Sequence, residues 1–215
     1  MPVPGVTHHK SVLFWESKLN VSIRKARSMR LKNLKTQSAS QRPLNIVLGP
    51  SVIRAVVIQD TPKLTSLARG TGVFSHEELV CLKEDLEAFH EGLYGEDEEA
   101  DRIIALEQNG EVVGFAHYGR LVITDRTWML HWIAVGQVHQ SQGVGRLLME
   151  AVESDVAAQN GRLILIETAS NEAYMATRNF YVRRGYALAA VIEDYYCDGD
   201  HKCVYAKHLD RAKTY

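Results

Sequence analysis

Between Leu130 and Leu148 the chain changes from one folding period to another across a single glycine-bearing turn. Trp128 to Val135 is apolar and aromatic, the composition of a strand that fits a pleated, half-buried surface. Val144, Leu147, Leu148, Ala151, Val152 and Val156 then recur at helical spacing, and Asn160-Gly161 ends the pattern. Between the two runs lies Gln140-Ser141-Gln142-Gly143-Val144-Gly145-Arg146. The first amides of a helix have no acceptor within it and sit at the positive end of its dipole, so a helix opened in this way can hold an anion. Having no side chains, Gly143 and Gly145 let a phosphate approach the backbone closely. A pyrophosphate is the natural ligand. The chain contains neither GxxxxGK followed by Ser or Thr, nor GxGxxG, so the turn is neither a P-loop nor a dinucleotide fingerprint.

The rest of the chain supplies strands and helices around this unit. Val52 to Ile58 is largely β-branched, stops at Gln59-Asp60-Thr61-Pro62, and precedes a helical segment to about Arg69. Ser75-His76-Glu77-Glu78 has the form of a capping box, with Leu79, Leu82, Leu86 and Phe89 at helical spacing behind it. Gly95 to Asp101 concentrates negative charge without periodicity and is expected as a solvated loop, a rim able to attract amines. Asn109-Gly110, set between Ile103–Glu107 and Val112–Tyr118, predicts a hairpin because both residues tolerate positive φ. Leu163 to Ile166 is a short buried strand, and beyond Ser170-Asn171 a helix runs to about Arg184 and Gly185. Strands over 186–196 and 201–208 flank Asp198-Gly199-Asp200. The order β-α-α-β-β-β-α-β-α-β-β implies an α/β (α+β) fold, a mixed sheet of about seven strands flanked by about four helices.

Composition fits one such domain and a tail. With 215 residues, 46% hydrophobic and 24% charged, the chain can bury a core and is not wholly disordered. It has no run of about 18 apolar residues and no signal-peptide pattern at its start, so a soluble, cytoplasmic protein without a membrane span is expected. The net charge of -1 hides an asymmetry: residues 1–50 carry nine Lys and Arg against Glu16 alone, while the remainder is acidic. We therefore divide the chain into a basic extension, 1–50, expected to be disordered, and a domain, 51–215. The extension is compatible with a dispensable tail, an organellar presequence, an upstream start ahead of Met29, or an arm for nucleic acid or a membrane surface. Cys81, Cys197 and Cys203 are odd in number and lack metal-ligand spacing, so reduced thiols are expected, the last two facing each other across the final hairpin. His8-His9 has no further ligands around it, and no metal is expected.

Two motifs together carry a resemblance. Gln140-x-x-Gly143-x-Gly145 after Ile133-Ala134-Val135 resembles the acyl-CoA signature of the GCN5-related N-acetyltransferase (GNAT) superfamily. About forty residues on, Asn179-Phe180-Tyr181-Val182-Arg183-Arg184-Gly185-Tyr186 is similar to that family's second signature. The resemblance covers about 51–208 and departs at Gly136-Gln137, where many members have proline. It implies a GNAT-type, mostly antiparallel central sheet and acetyl-CoA as co-substrate. The turn residues Gln140, Ser141, Gln142, Gly143, Val144, Gly145 and Arg146 would then hold the coenzyme A pyrophosphate. The backbone of Ile133, Ala134 and Val135 would pair with the pantetheine arm like an added strand, and Asn179 and Tyr181 would lie near the thioester.

Acetyl transfer to an amine needs a neutral nitrogen and a proton for the departing thiolate. The resemblance makes Tyr181 the general acid. For the base, strand alternation puts His131 on one face with Ile133 and Val135, opposite Trp132 and Ala134. An imidazole titrating near 6.5 suits proton removal at neutral pH, and His131 resembles one of two strand histidines of arylalkylamine acetyltransferases, Met129 standing at the other. Glu167, at the end of the next strand, competes as base or amine anchor. Tyr174, Arg178 and Asp194 are candidates to line the acceptor pocket, and His139 to neutralise phosphate. The expected activity is acetyl-CoA-dependent N-acetylation of a primary amine on a small or amino-acid-like molecule, by direct attack in a ternary complex. A coenzyme A-binding regulatory or nucleic-acid-associated protein is the alternative, and a homodimer is compatible with either.

Overall fold

The computed structural model describes residues 45–48, 51–92, 101–121 and 123–209. In chain order its elements are β1 (Asn45–Leu48), β2 (Ser51–Ala55), α1 (Thr61–Gly70), α2 (His76–His90), β3 (Arg102–Gln108), β4 (Glu111–Arg120), β5 (Thr127–Val135), α3 (Val144–Ala158), β6 (Leu163–Ala169), α4 (Met175–Arg183), β7 (Ala187–Cys197) and β8 (Asp200–His208). All strands join one sheet in the order β1-β2-β3-β4-β5-β6-β8-β7. Only β5 and β6 run parallel; every other neighbouring pair is antiparallel. The mixed sheet and its four helices agree with the expected order. The additional strand is β1, which lies inside the segment assigned to the basic extension. The readings placed on residues 1–44 and on Gly95–Ala100 fall outside the described residues.

Local chemistry sets the boundaries. At the hairpin, Asn109 and Gly110 take φ of 52° and 80°, as a tight turn between right-twisted strands requires. The capping box forms at α2: Ser75 Oγ accepts from Glu78 N at 3.1 Å, and Ser75 N donates to Glu78 Oε2 at 2.7 Å. Each face of the sheet buries its own cluster. On one, Leu148, Met149, Val152 and Val156 of α3 pack with Tyr181 of α4 against Leu106, Ala116, Leu130 and Ile166. On the other, Leu64, Leu67, Leu82 and Leu86 of α1 and α2 cover Ala105, Phe115 and Ala134. Leu148 has no solvent exposure, so Leu148→Ala is expected to cost about 2–5 kcal/mol in a denaturant melt.

Two irregularities matter for the site. The register of β5 with β6 pairs Thr127–Leu130 with Leu163–Ile166 and stops there, while β5 runs on to Val135 and β6 to Ala169. The two parallel strands therefore part at their C-terminal ends. Between β4 and β5 the register slips: His117 pairs with Trp132 and Tyr118 with Leu130, leaving His131 as the extra residue of a β-bulge.

The last hairpin corrects one expectation. Cys203 pairs with Val191 and Cys197 with Asp200, so the two thiols do not oppose each other. None of the three cysteines forms a disulfide. No helix among the described residues is long and apolar enough to cross a membrane.

Candidate active site

The parting of β5 from β6 leaves the β5 backbone from His131 to Val135 beyond its pairing with β6, an edge to which an extended ligand can add as a strand. Immediately after it, Gly136 starts a 3-10 turn (Gln137–His139), and Ser141 and Gly143 take φ of 60° and 85°. Gly143 is the N-cap of α3, and no side chain caps the first turn, so its amides remain available to an anion. A methyl group on Gly143 would meet nothing closer than the Arg146 guanidinium at 3.8 Å. The space before the turn is open, and the left-handed backbone is what calls for glycine. Gly145 has a different duty: its Cα faces Phe180 of α4, whose ring would lie 3.4 Å from an added Cβ. Val144 is buried and anchors the helix, while Gln142 Nε2 donates to Val138 O at 2.7 Å and Gln140 Nε2 to Val135 O at 3.2 Å, both bracing the turn. Arg146 is exposed and pairs with Glu150 at 2.9 Å. Ala134 points into the α1–α2 cluster, so only its backbone faces the opening.

Tyr181 is 4% exposed, on the same sheet face as Ile133 and Val135, with its ring near those of Tyr186 and Tyr205. Its hydroxyl makes no hydrogen bond among the described residues, and burial pushes the phenol well above its ordinary value. The proton is therefore held at neutral pH. Asn179, on the same helix, is exposed. Tyr174 donates to Glu78 Oε1 at 2.6 Å, tying α2 to the segment that follows β6. Burial and that carboxylate hold its phenol protonated.

Glu167 lies on the part of β6 beyond the paired register, and it is not alone. Lys202 Nζ of β8 is 2.7 Å from Glu167 Oε2 and 4.0 Å from the centre of the Tyr195 ring. Lys202 is 2% exposed, so its charge depends on that carboxylate and ring. Such a pairing makes Glu167 an anchor first, and a base only at the expense of the pair. Glu167→Gln is expected to lower stability by about 1–3 kcal/mol, less than a fully buried pair would lose, measurable as a lower melting temperature.

The bulge changes the expected placement of His131. Ala116 and Tyr118 pack on the α3 side, so the intervening His117 faces α1 and α2. The His131 ring lies 4.9 Å from the His117 ring and therefore shares that face with Trp132, away from Ile133 and Val135. Asp101 completes a cluster there. Its Oδ2 is 3.0 Å from His117 Nε2 and 3.8 Å from His131 Nε2. Expected in a solvated acidic loop, Asp101 is 2% exposed. The apolar strand that follows it draws its side chain inward, over β4. The three ligand-type atoms lie within 4.8 Å of one another, the arrangement among the described residues able to hold a metal ion, although the His117–Asp101 hydrogen bond is complete without one.

Other candidates have structural duties. Arg178 donates to Ala169 O and Asn171 O at 2.7 and 2.8 Å, fixing the chain after β6. Asp194, near the end of β7, accepts from Gly199 N at 2.8 Å and so braces the turn of the last hairpin. His139 is half-buried at the end of the 3-10 turn. Residue patterns give no catalytic role to His117 or Lys202, and give Asp101 only a place in an acidic, amine-attracting rim. Only Gly119, a glycine inside an apolar strand, marked the close approach made there by Asp101.

The profile of the Acetyltransferase (GNAT) family matches residues 71–186, which include the parted strands, the glycine turn and Tyr181. The chain belongs to the GNAT acetyltransferase family. GNAT enzymes use acetyl-CoA as acyl donor. The fold is similar to that of a Desulfovibrio desulfuricans protein assigned to the GNAT family, with 30% identity and a TM-score of 0.68 over 74% of this chain and 98% of that one. It is also similar to the ribosomal-protein-S18-alanine N-acetyltransferase of Escherichia coli, with 20% identity and a TM-score of 0.59 over 76% of this chain and 97% of that one. A Salmonella typhimurium structure containing acetyl-CoA shares 17% identity, with a TM-score of 0.60 over 77% of this chain and 97% of that one. No curated protein matches this chain in sequence.

Proposed function

We propose that this GNAT domain, over residues 51–215, transfers the acetyl group of acetyl-CoA to the primary amine of a small or amino-acid-like molecule, by direct attack within a ternary complex. The observation that carries the reading is the opening between β5 and β6, which leads directly into the uncapped, glycine-led start of α3. The pyrophosphate lies on the amides of Ser141 to Arg146, and the pantetheine arm pairs with the free edge of β5 at Ile133 and Val135. This sets the thioester in the opening, near Asn179 and Tyr181.

The two faces of the sheet divide the proton work. His131, on the α1–α2 face, takes a proton from the acceptor ammonium at Nδ1, the ring nitrogen other than the one nearest Asp101. The neutral nitrogen attacks the thioester carbonyl, the C–N bond forms, and the C–S bond breaks. Tyr181, on the α3–α4 face, gives its hydroxyl proton to the departing sulfur. Burial strengthens the phenol's hold on that proton, so donation waits until the C–S bond has broken and the full charge sits on a sulfur that the same burial makes more basic. Glu167, held by Lys202, borders the acceptor side as an anchor for cationic groups.

Acetyl-CoA-dependent release of free thiol across amines, amino acids, aminoglycosides and Lys-containing peptides tests the reading. Release with a small primary amine, well above hydrolysis without acceptor, is expected. Tight acetyl-CoA binding with no release for any acceptor would overturn it in favour of a regulatory coenzyme A-binding protein.

A further inference from the structure

We propose that Asp101 and His117 are positioning residues for His131: a buried carboxylate–imidazole pair that sets the tautomer of the base and stabilises its protonated form. The proposal deepens the acetyltransferase reading and rests on it. Asp101 and His117 are each 2% exposed, whereas the His131 side chain keeps 21% of its surface and is the member that reaches outward. A carboxylate buried this deeply is retained only where hydrogen bonds and positive charge compensate its lost hydration. His117 Nε2–H donates to Oδ2 at 3.0 Å, fixing the carboxylate. That same oxygen lies 3.8 Å from His131 Nε2, outside hydrogen-bond length and within reach of an ion pair.

Two departures from regular strand geometry converge on this one carboxylate. The β5 bulge turns His131 to the face of His117, where unbroken alternation would have sent it to the other side. On β4, a Cβ at Gly119 would lie 1.8 Å from Asp101 Oδ1, so only glycine leaves room for the carboxylate to lie across the strand. An Asp101–His117 pair serving the fold alone would require Gly119 but not the bulge. With both, the neutral His131 carries its hydrogen on Nε2, facing Asp101, and offers Nδ1 to the acceptor ammonium. After proton transfer the imidazolium and Asp101 form an ion pair, with His117 still donating to the same oxygen. The proton then leaves from Nδ1 to solvent, while Asp101 stays ionised and His117 keeps its Nε2 hydrogen throughout.

Ionisable groups on the surrounding elements include Cys81 and Asp85 of α2, the latter accepting from Trp132 Nε1 at 2.8 Å, Arg120 of β4, and Glu167 of β6, held by Lys202. Asp101 is the anion with a carboxylate oxygen 3.8 Å from His131 Nε2.

The test combines imidazole titration by nitrogen-15 NMR with pH profiles of kcat/KM. In the parent, His131 is expected to carry its neutral-form hydrogen on Nε2 and to titrate above the ordinary value of about 6.5. Asp101→Asn should lower that midpoint by about one unit or more, move the acidic limb of kcat/KM to lower pH by the same amount, and reduce kcat about 10- to 100-fold, with acetyl-CoA affinity within about twofold. Gly119→Ala should behave similarly, because it displaces Asp101. His117→Gln, which keeps a donor for Asp101, should retain the parent profile. A parent midpoint at or below 6.5, or a midpoint or acidic limb unmoved by Asp101→Asn, would overturn the proposal. Absence of turnover in the parent would instead count against the acetyltransferase reading, leaving the titration of the parent to decide the proposal.

Discussion

Gly143→Asp is expected to weaken acetyl-CoA binding about 100-fold or more, measured by calorimetry on the full chain. Gly143 sits at φ +85°, where a side chain costs about 1–2 kcal/mol of backbone strain; the free turn sheds that strain by rearranging and must take it on again to bind the diphosphate. Aspartate also brings a negative charge to the place where the diphosphate meets the first amides of α3, cancelling the attraction those amides provide. Together the two effects reach about 3 kcal/mol, and each 1.4 kcal/mol is tenfold in affinity. The loss separates from general unfolding because an added Cβ at Gly143 meets no neighbour closer than 3.8 Å, so the melting temperature should fall only slightly. Unchanged affinity would remove this turn from the donor site.

Tyr181→Phe is the second large effect. It removes one hydroxyl that makes no hydrogen bond among the described residues and keeps the ring that packs with Tyr186 and Tyr205. Stability and acetyl-CoA affinity should therefore change little. Turnover should fall about 100-fold or more, the range in which a general acid contributes, because the thiolate would leave without a proton. Since burial holds the Tyr181 proton well past neutral pH, ionisation of this residue should not limit the rate between pH 6 and 9. A variant with the parent's kcat would end the acid role.

What could be foreseen depended on how local the determining chemistry is. The Asn109-Gly110 turn, the Ser75–Glu78 box and the glycine-led start of α3 each follow from a few consecutive residues, and each is found where the pattern put it. The position of His131 does not. Its face is decided by a slipped register with β4, set by which residue of one strand meets which of another, and strict alternation assigns it to the wrong side. Asp101 ends an acidic run and reads as solvated with it, yet the next residue already belongs to β3 and Gly119 leaves the hollow that receives its carboxylate. The pairing of Lys202 is not legible in its own stretch, because its partners Glu167 and Tyr195 lie on two other strands. β1 is four residues long and follows a polar, basic segment, too short to announce itself by period.

Direct attack in a ternary complex requires donor and acceptor to meet together in the opening between β5 and β6. Initial rates measured while acetyl-CoA and the accepted amine are varied independently, alongside the intact mass of the enzyme incubated with acetyl-CoA alone, test it most directly. Intersecting double-reciprocal lines and an enzyme of unchanged mass are expected. Parallel lines with an enzyme carrying one added acetyl group would contradict it.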